Sequence, residues 1–316
     1  MTSATSTDHP SRNEPAARVG PAVQFGLLAL AWGASFLFIK IGLQDLEPAQ
    51  VVAARLLLGA LTLAVIVAAK REKVPRNPRL WAHLTVVGVL LCVLPFTLFA
   101  WAEKYVSSGL ASIYNATTPL TTLALAILVL SEERLSVGRS VGFALGFIGV
   151  VTIIGPWSGA LGGGSLVAQL ACVAATLSYG IAFVYLRKFV AGRSYSALTV
   201  AFIQVSVSAV LALALAWPVT TSRLHLSVAV VAAMVVLGAV GTGLAYIWNT
   251  NVVQAWGAAN AAAVTYLTPV VGVALGVTVL DERMSWNQPL GAAVVVLGVL
   301  AVHGRLRLRR NPATGE

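Results

Sequence analysis

Residues 108–136, SGLASIYNATTPLTTLALAILVLSEERLS, return in outline as residues 257–285, GAANAAAVTYLTPVVGVALGVTVLDERMS. Both stretches are largely apolar, carry a proline near the middle, and close on one tetrad. Pro119 answers Pro269, and Glu133-Arg134-Leu135-Ser136 answers Glu282-Arg283-Met284-Ser285 at an offset of 149. Gly142 and Gly149 carry the same offset into Gly291 and Gly298. Farther back, Trp32-Gly33 with Phe36 corresponds to Tyr179-Gly180 with Phe183 at an offset of 147. Chance supplies one such match, not an ordered series, so the chain is a tandem of two related units.

Apolar stretches of this length recur at 21–39, 49–69, 80–101, 108–130, 138–156, 165–186, 196–217, 227–249, 257–280 and 287–304. Hydrophobic residues make up 58% of the chain and charged ones 10%, with a mean hydropathy of +0.85. A soluble domain is about half apolar and about a quarter charged. About 20 residues at about 1.5 Å each cross a hydrocarbon core of about 30 Å. Inside lipid a helix satisfies its own backbone hydrogen bonds, and the alternation of a β-barrel is absent. The expected fold is therefore an all-α polytopic membrane protein with ten transmembrane helices. Five spans per unit is odd, so the second unit enters from the opposite side, giving two inverted five-helix repeats. We place them at 21–156 and 165–304, with a glycine-rich linker at 157–164 and solvated tails at 1–20 and 305–316. The first tail lacks the basic start and short apolar core of a signal peptide. Inverted repeats are the arrangement through which many secondary transporters alternate access.

The net charge of +10 is explained by its distribution. With the N-terminus in the cytoplasm, sixteen of the 21 Lys and Arg fall on the inner side, among them Lys70, Arg71, Lys73, Arg76 and Arg79. Lys40, Lys104, Arg223 and Arg283 fall outside, and Arg55 lies within a span. The positive-inside rule then puts both termini in the cytoplasm of a multi-pass cell-membrane protein. The basic charge serves topology and lipid headgroups, and nucleic acid is not an expected partner.

Pro119 and Pro269 each lack the N–H that would serve the carbonyl four residues earlier. The carbonyls of Asn115 and Thr265 are thereby freed near the midplane, where they should face protein, water or substrate. Paired interruptions in corresponding spans are a pointer to a transporter site. Ser108, Ser112, Asn115, Thr118 and Thr122 share one helical face, and the corresponding face carries Ala258, Ala262, Thr265, Thr268 and Gly272. Such a stripe can line a cavity or form a helix seam, as Gly272-x-x-x-Gly276 would. Arg55 lies about 9 Å inside its span, and its repeat partner at offset 149 is Gln204. It would hold a carboxylate or another anion, or else snorkel to the headgroups. Trp32, Trp101 and Tyr246 are candidates to close the site.

Cys92 and Cys172 sit in apolar spans as small hydrophobes, and His9, His83, His225 and His303 lie in a tail or at span ends. No metal site or cofactor is expected. Glu103, Glu132, Glu133 and Glu282 fall at span ends, where interfacial charge pairs are the expectation and no buried carboxylate relay is visible. No Gly-x-x-x-x-Gly-Lys-Ser/Thr motif is present, and Gly162-Gly163-Gly164 is not followed by Lys-Ser/Thr. No nucleophile with a positioned base lies in the spans. A secondary transporter with a small-molecule substrate is the leading reading, ahead of a membrane-embedded enzyme or a structural or receptor-like protein.

The Trp-Gly-x-Ser-Phe start at Trp32 to Phe36, the mid-span prolines and the Glu-Arg-Leu-Ser closure resemble the EamA-type branch of the drug/metabolite transporter superfamily. The resemblance runs from about residue 21 to residue 304. It implies a ten-helix transporter with a cavity between its halves, often exporting amino acids or related metabolites. The second unit departs at its opening, where Tyr179 replaces Trp32 and Ile181-Ala182 replace Ala34-Ser35.

Overall fold

The computed structural model describes residues 19–129, 136–155, 164–190, 195–217, 226–256, 261 and 264–302. The terminal tails from Met1 to Arg18 and from His303 onward, Glu132 to Leu135, linker residues 156–163 and the ninth-span start at 257–260 lie outside the described residues. So do Ala262 and Ala263.

Among the described residues the chain is helical, with no strand. Eight helices are long and apolar enough to cross a membrane: α1 Pro21–Gly42, α2 Pro48–Ala69, α3 Pro78–Ala102, α4 Ser108–Val129, α5 Val137–Ile154, α6 Ser165–Phe189, α7 Ala197–Ala216 and α8 Val228–Trp256. Two shorter apolar helices follow, α9 Val264–Leu280 and α10 Asn287–Val302. Their starts are written in the sequence. Pro21, Pro48 and Pro78 occupy the first helical turn, where a missing N–H costs nothing. Ser107, Ser196 and Ser227 each accept a backbone N–H from the turn they precede. The end of α5 is Gly155 at φ 60°, the left-handed geometry that glycine adopts without strain.

Among the described residues two helices turn π-helical in mid-course. Val89–Val93 of α3 and Val236–Leu244 of α8 are π-helical. A π segment widens the helix locally and re-aims its side chains, and such segments recur at functional positions. No periodicity in the sequence announced them.

The helices pack as α5 on α10, α2 on α7 and α8, α1 on α8 and α9, α3 on α6 and α7, and α4 on α6 and α9. Small residues let backbones meet, as in other membrane bundles. A Cβ on Gly291 would lie 2.7 Å from the Gly149 carbonyl oxygen, and one on Gly298 the same distance from that of Gly142. The crossed register, 142 with 298 and 149 with 291, makes α5 and α10 antiparallel. Gly272 meets Ser112 in the same close way, and Gly276 meets Ser108, so α4 and α9 are antiparallel too.

The surface is apolar as well as the core. Leu128, Phe147, Val210 and Val65 are exposed large hydrophobics. In water such patches would drive association, whereas lipid solvates them.

Candidate functional site

The two π segments bring a polar group into the bundle. Arg55 of α2 donates from Nε to Thr242 Oγ1, in the π segment of α8, at 3.0 Å. Its guanidinium carbon lies 3.7 Å from the Phe96 ring centroid, a cation–π placement. Gln204 of α7 donates from Nε2 to the Tyr246 hydroxyl at 3.0 Å and to Cys92 Sγ, in the π segment of α3, at 3.4 Å. The two residues matched by the repeat therefore reach into the two π segments. The backbone makes room for them: a Cβ on Gly238 would meet the Arg55 carbonyl oxygen, and one on Gly88 that of Gln204.

A snorkelling arginine would keep its head in the headgroup layer. Arg55 is 7% exposed and turned inward. Among the described residues the ion pair is Lys104–Glu47, at the surface, and no carboxylate lies within pairing distance of Arg55. The ionisable groups facing it are Tyr179, Cys92, Tyr246 and Glu103.

Tyr246 also lines a small open cleft with Lys70, Leu198, Ala201, Ile247, Thr250 and Asn251. This cleft lies toward the Lys70 end of the bundle. At the opposite, Lys40 end, hydrogen bonds tie the helices and their connections together. Lys40 of α1 donates to the carbonyls of Glu103 and Val106, the latter at 2.9 Å. Glu282, after α9, accepts from Ser108 N at 2.7 Å, Ser108 Oγ at 3.0 Å and Gly109 N at 3.1 Å. Asp45 accepts from Ser227 N at the start of α8.

The proline stripe is assembled differently. At Pro119 the helix breaks at Ala116 and Thr117, which bond three residues back instead of four. The carbonyl freed at Asn115 accepts from the Thr118 hydroxyl at 2.8 Å. Ser112 is fully buried against Gly272, so here the stripe serves the seam with α9. Thr268 and Pro269 are buried inside the bundle, and Thr265 is half-buried. Trp32 packs with Leu28, Ala245 and Val264, while Trp101 lies 5.1 Å from Tyr105, ring to ring, near the Lys40 end. The structure thus brings Arg55, Gln204 and Tyr246 together, and sets Ser112 and Thr268 in an adjoining seam.

Several neighbours gave no signal in the sequence. Cys92, read as a small hydrophobe, is a hydrogen-bond partner of Gln204. Thr117 and Thr121 bind Thr176 on α6, and Tyr114 donates to Gln169 at 2.6 Å. These residues face away from the stripe that periodicity picked out. Glu103 is a correction. It is expected as half of an interfacial pair, and it is instead fully buried, with neither carboxylate oxygen having a hydrogen-bond partner among the described residues.

The profile of the EamA-like transporter family matches the chain twice, over residues 22–155 and 166–303. A protein of Escherichia coli (strain K12) named "probable amino-acid metabolite efflux pump" is 27% identical over 306 residues, 92% of this chain and 97% of that protein. The Bacillus subtilis (strain 168) transporter YoaV is 22% identical over 282 residues, 88% of this chain and 95% of that one. A solved crystal structure shares the fold with a TM-score of 0.62 at 20% identity, covering 89% of this chain and 97% of its own.

Proposed function

Because the chain belongs to the EamA-like transporter family, we propose that this multi-pass membrane transporter exports small metabolites of the amino-acid type by alternating access. The coarse role follows from the family and from relatives named as an efflux pump and a transporter. The finer reading rests on the interior of the bundle. An intramembrane cation without a carboxylate partner is costly unless it serves a ligand. Arg55 is such a cation, and a substrate carboxylate would complete it, with Gln204, Tyr246 and Thr242 as neighbouring hydrogen-bond partners. That buried guanidinium, with no carboxylate partner among the described residues, is the observation that carries the proposal.

The two units act as inverted repeats in this reading. Exchanging each helix with the one five places on turns the main packing pairs into one another, α1·α9 into α6·α4 and α2·α8 into α7·α3. The matched helices α5 and α10 run antiparallel, as inversion requires. The charge bias assigns the Lys70 end to the cytoplasm. The cleft beside Tyr246 then opens inward, and Lys40, Glu282 and Asp45 close the outer end. The relative named as an amino-acid metabolite efflux pump supports the substrate class and the direction.

The test is reconstitution of the full chain into liposomes preloaded with a mixture of amino acids, followed by mass spectrometry of what leaves. Selective release relative to protein-free liposomes is expected. A full panel retained inside would overturn the amino-acid reading.

A further inference from the structure

Glu103 follows the last residue of α3 and is 0% exposed, yet neither Oε1 nor Oε2 has a hydrogen-bond partner among the described residues. Lys40 from α1 gives two of its three ammonium hydrogens to backbone carbonyls, those of Glu103 itself and of Val106, and Glu282 caps the start of α4. The charged and titratable groups that face Glu103 are Lys40, Glu282, Arg55 from α2 and Cys172 from α6. An ionised carboxylate without partners is strongly penalised on leaving water, so such a group takes up a proton instead. The C-terminal end of α3 adds to this, because a helix C-terminus disfavours negative charge. Burial pushes the Glu103 carboxyl well above the usual carboxylate range; Lys40 pulls it down, and Glu282 pushes it up again.

We propose that Glu103 is a proton-binding site whose occupancy decides whether the Lys40 end of the bundle is shut. With that end closed the carboxyl is neutral and tolerates its dry surroundings. When Lys40 and Glu282 let go of the 103–109 segment, water reaches the carboxyl. Its O–H bond then breaks heterolytically, the electron pair stays on the carboxylate, and the proton passes to water on that side. The open form carries one proton fewer, so acid favours closure and alkali favours opening. The inference stands on the closed geometry alone and does not depend on which metabolite is carried.

The experiment uses the full chain in lipid nanodiscs with Val106→Cys, a position 6% exposed beneath the Lys40 contacts. Its alkylation by a hydrophilic maleimide is compared with that of Lys104→Cys, which is exposed, to cancel the intrinsic pH dependence of thiol reactivity. The expected ratio rises with pH, by up to about tenfold per pH unit across the Glu103 titration, the slope of a single proton. Glu103→Gln, neutral at every pH, should hold the ratio low and flat. Infrared spectra at neutral pH should contain a carboxylic-acid C=O band that Glu103→Gln removes. Should the Gln variant fold poorly, Glu103→Asp retains the titration with a displaced midpoint. A flat ratio in the parent protein, an unchanged pH dependence in Glu103→Gln, or no Glu103-dependent acid band would overturn the proposal.

Discussion

Arg55 and Thr242, separated by 187 positions in sequence, are joined by a 3.0 Å hydrogen bond between α2 and the π segment of α8. Gln204 mirrors it from the other unit, reaching from α7 to Cys92 in the π segment of α3. Each unit sends one polar side chain from its second helix into the distorted third helix of the other. The group they build has a positive end at Arg55 and neutral partners at Gln204 and Tyr246.

Arg55→Gln should abolish amino-acid efflux, and Arg55→Lys should keep part of it. Lysine preserves charge but not the planar fork that grips a carboxylate. A charged hydrogen bond contributes about 1.5–3 kcal/mol, which is about tenfold or more in affinity. Efflux from liposomes, measured beside the folded yield of each variant, checks this. Normal transport by Arg55→Gln would place the substrate elsewhere.

Thr250 lines the cleft beside Tyr246. Thr250→Trp should fill much of it and block transport while the protein stays monodisperse on gel filtration. Leu128, 80% exposed on the outer face of α4, is the control. Leu128→Trp should transport normally, because lipid accommodates the added ring. Equal activity of both variants would dissociate the cleft from the transport path.

The α5–α10 contact has no space for a side chain at Gly291. Gly291→Leu should lower the melting temperature of the purified protein, since overpacking costs about 1–3 kcal/mol. Leu297→Ala, at a position facing outward from α10, should leave it close to the parent. A parent-like melt for Gly291→Leu would show that the two helices can separate without penalty.

Sidedness is checked by single cysteines at Arg76 and Lys104, both exposed. Cys92 and Cys172 are buried and should contribute little background. In intact cells an impermeant maleimide should reach the residue-104 thiol and not the residue-76 thiol. The reverse pattern would invert the assignment of the Lys40 and Lys70 ends.

What the amino-acid order determined by itself is the helical membrane architecture, because spanning lipid demands long apolar segments whose backbones satisfy themselves. Pro21, Pro48, Pro78 and the capping serines mark helix starts through local chemistry, and Gly142 and Gly149 return as Gly291 and Gly298 because two helices can meet there only without side chains. Arg55 stood out for the same reason: charge in a span is costly wherever it points. Tertiary structure alone decided where such groups point and what meets them. The π segments of α3 and α8, the turn of Arg55 toward Phe96, and the pairing of Gln204 with Tyr246 arise from contacts between residues far apart in the chain. Glu103 shows the difference most clearly. Its position one residue beyond a helix suggested an interfacial charge, but the closing of α1, α6 and the segment after α9 around it removed the water that an ionised carboxylate needs.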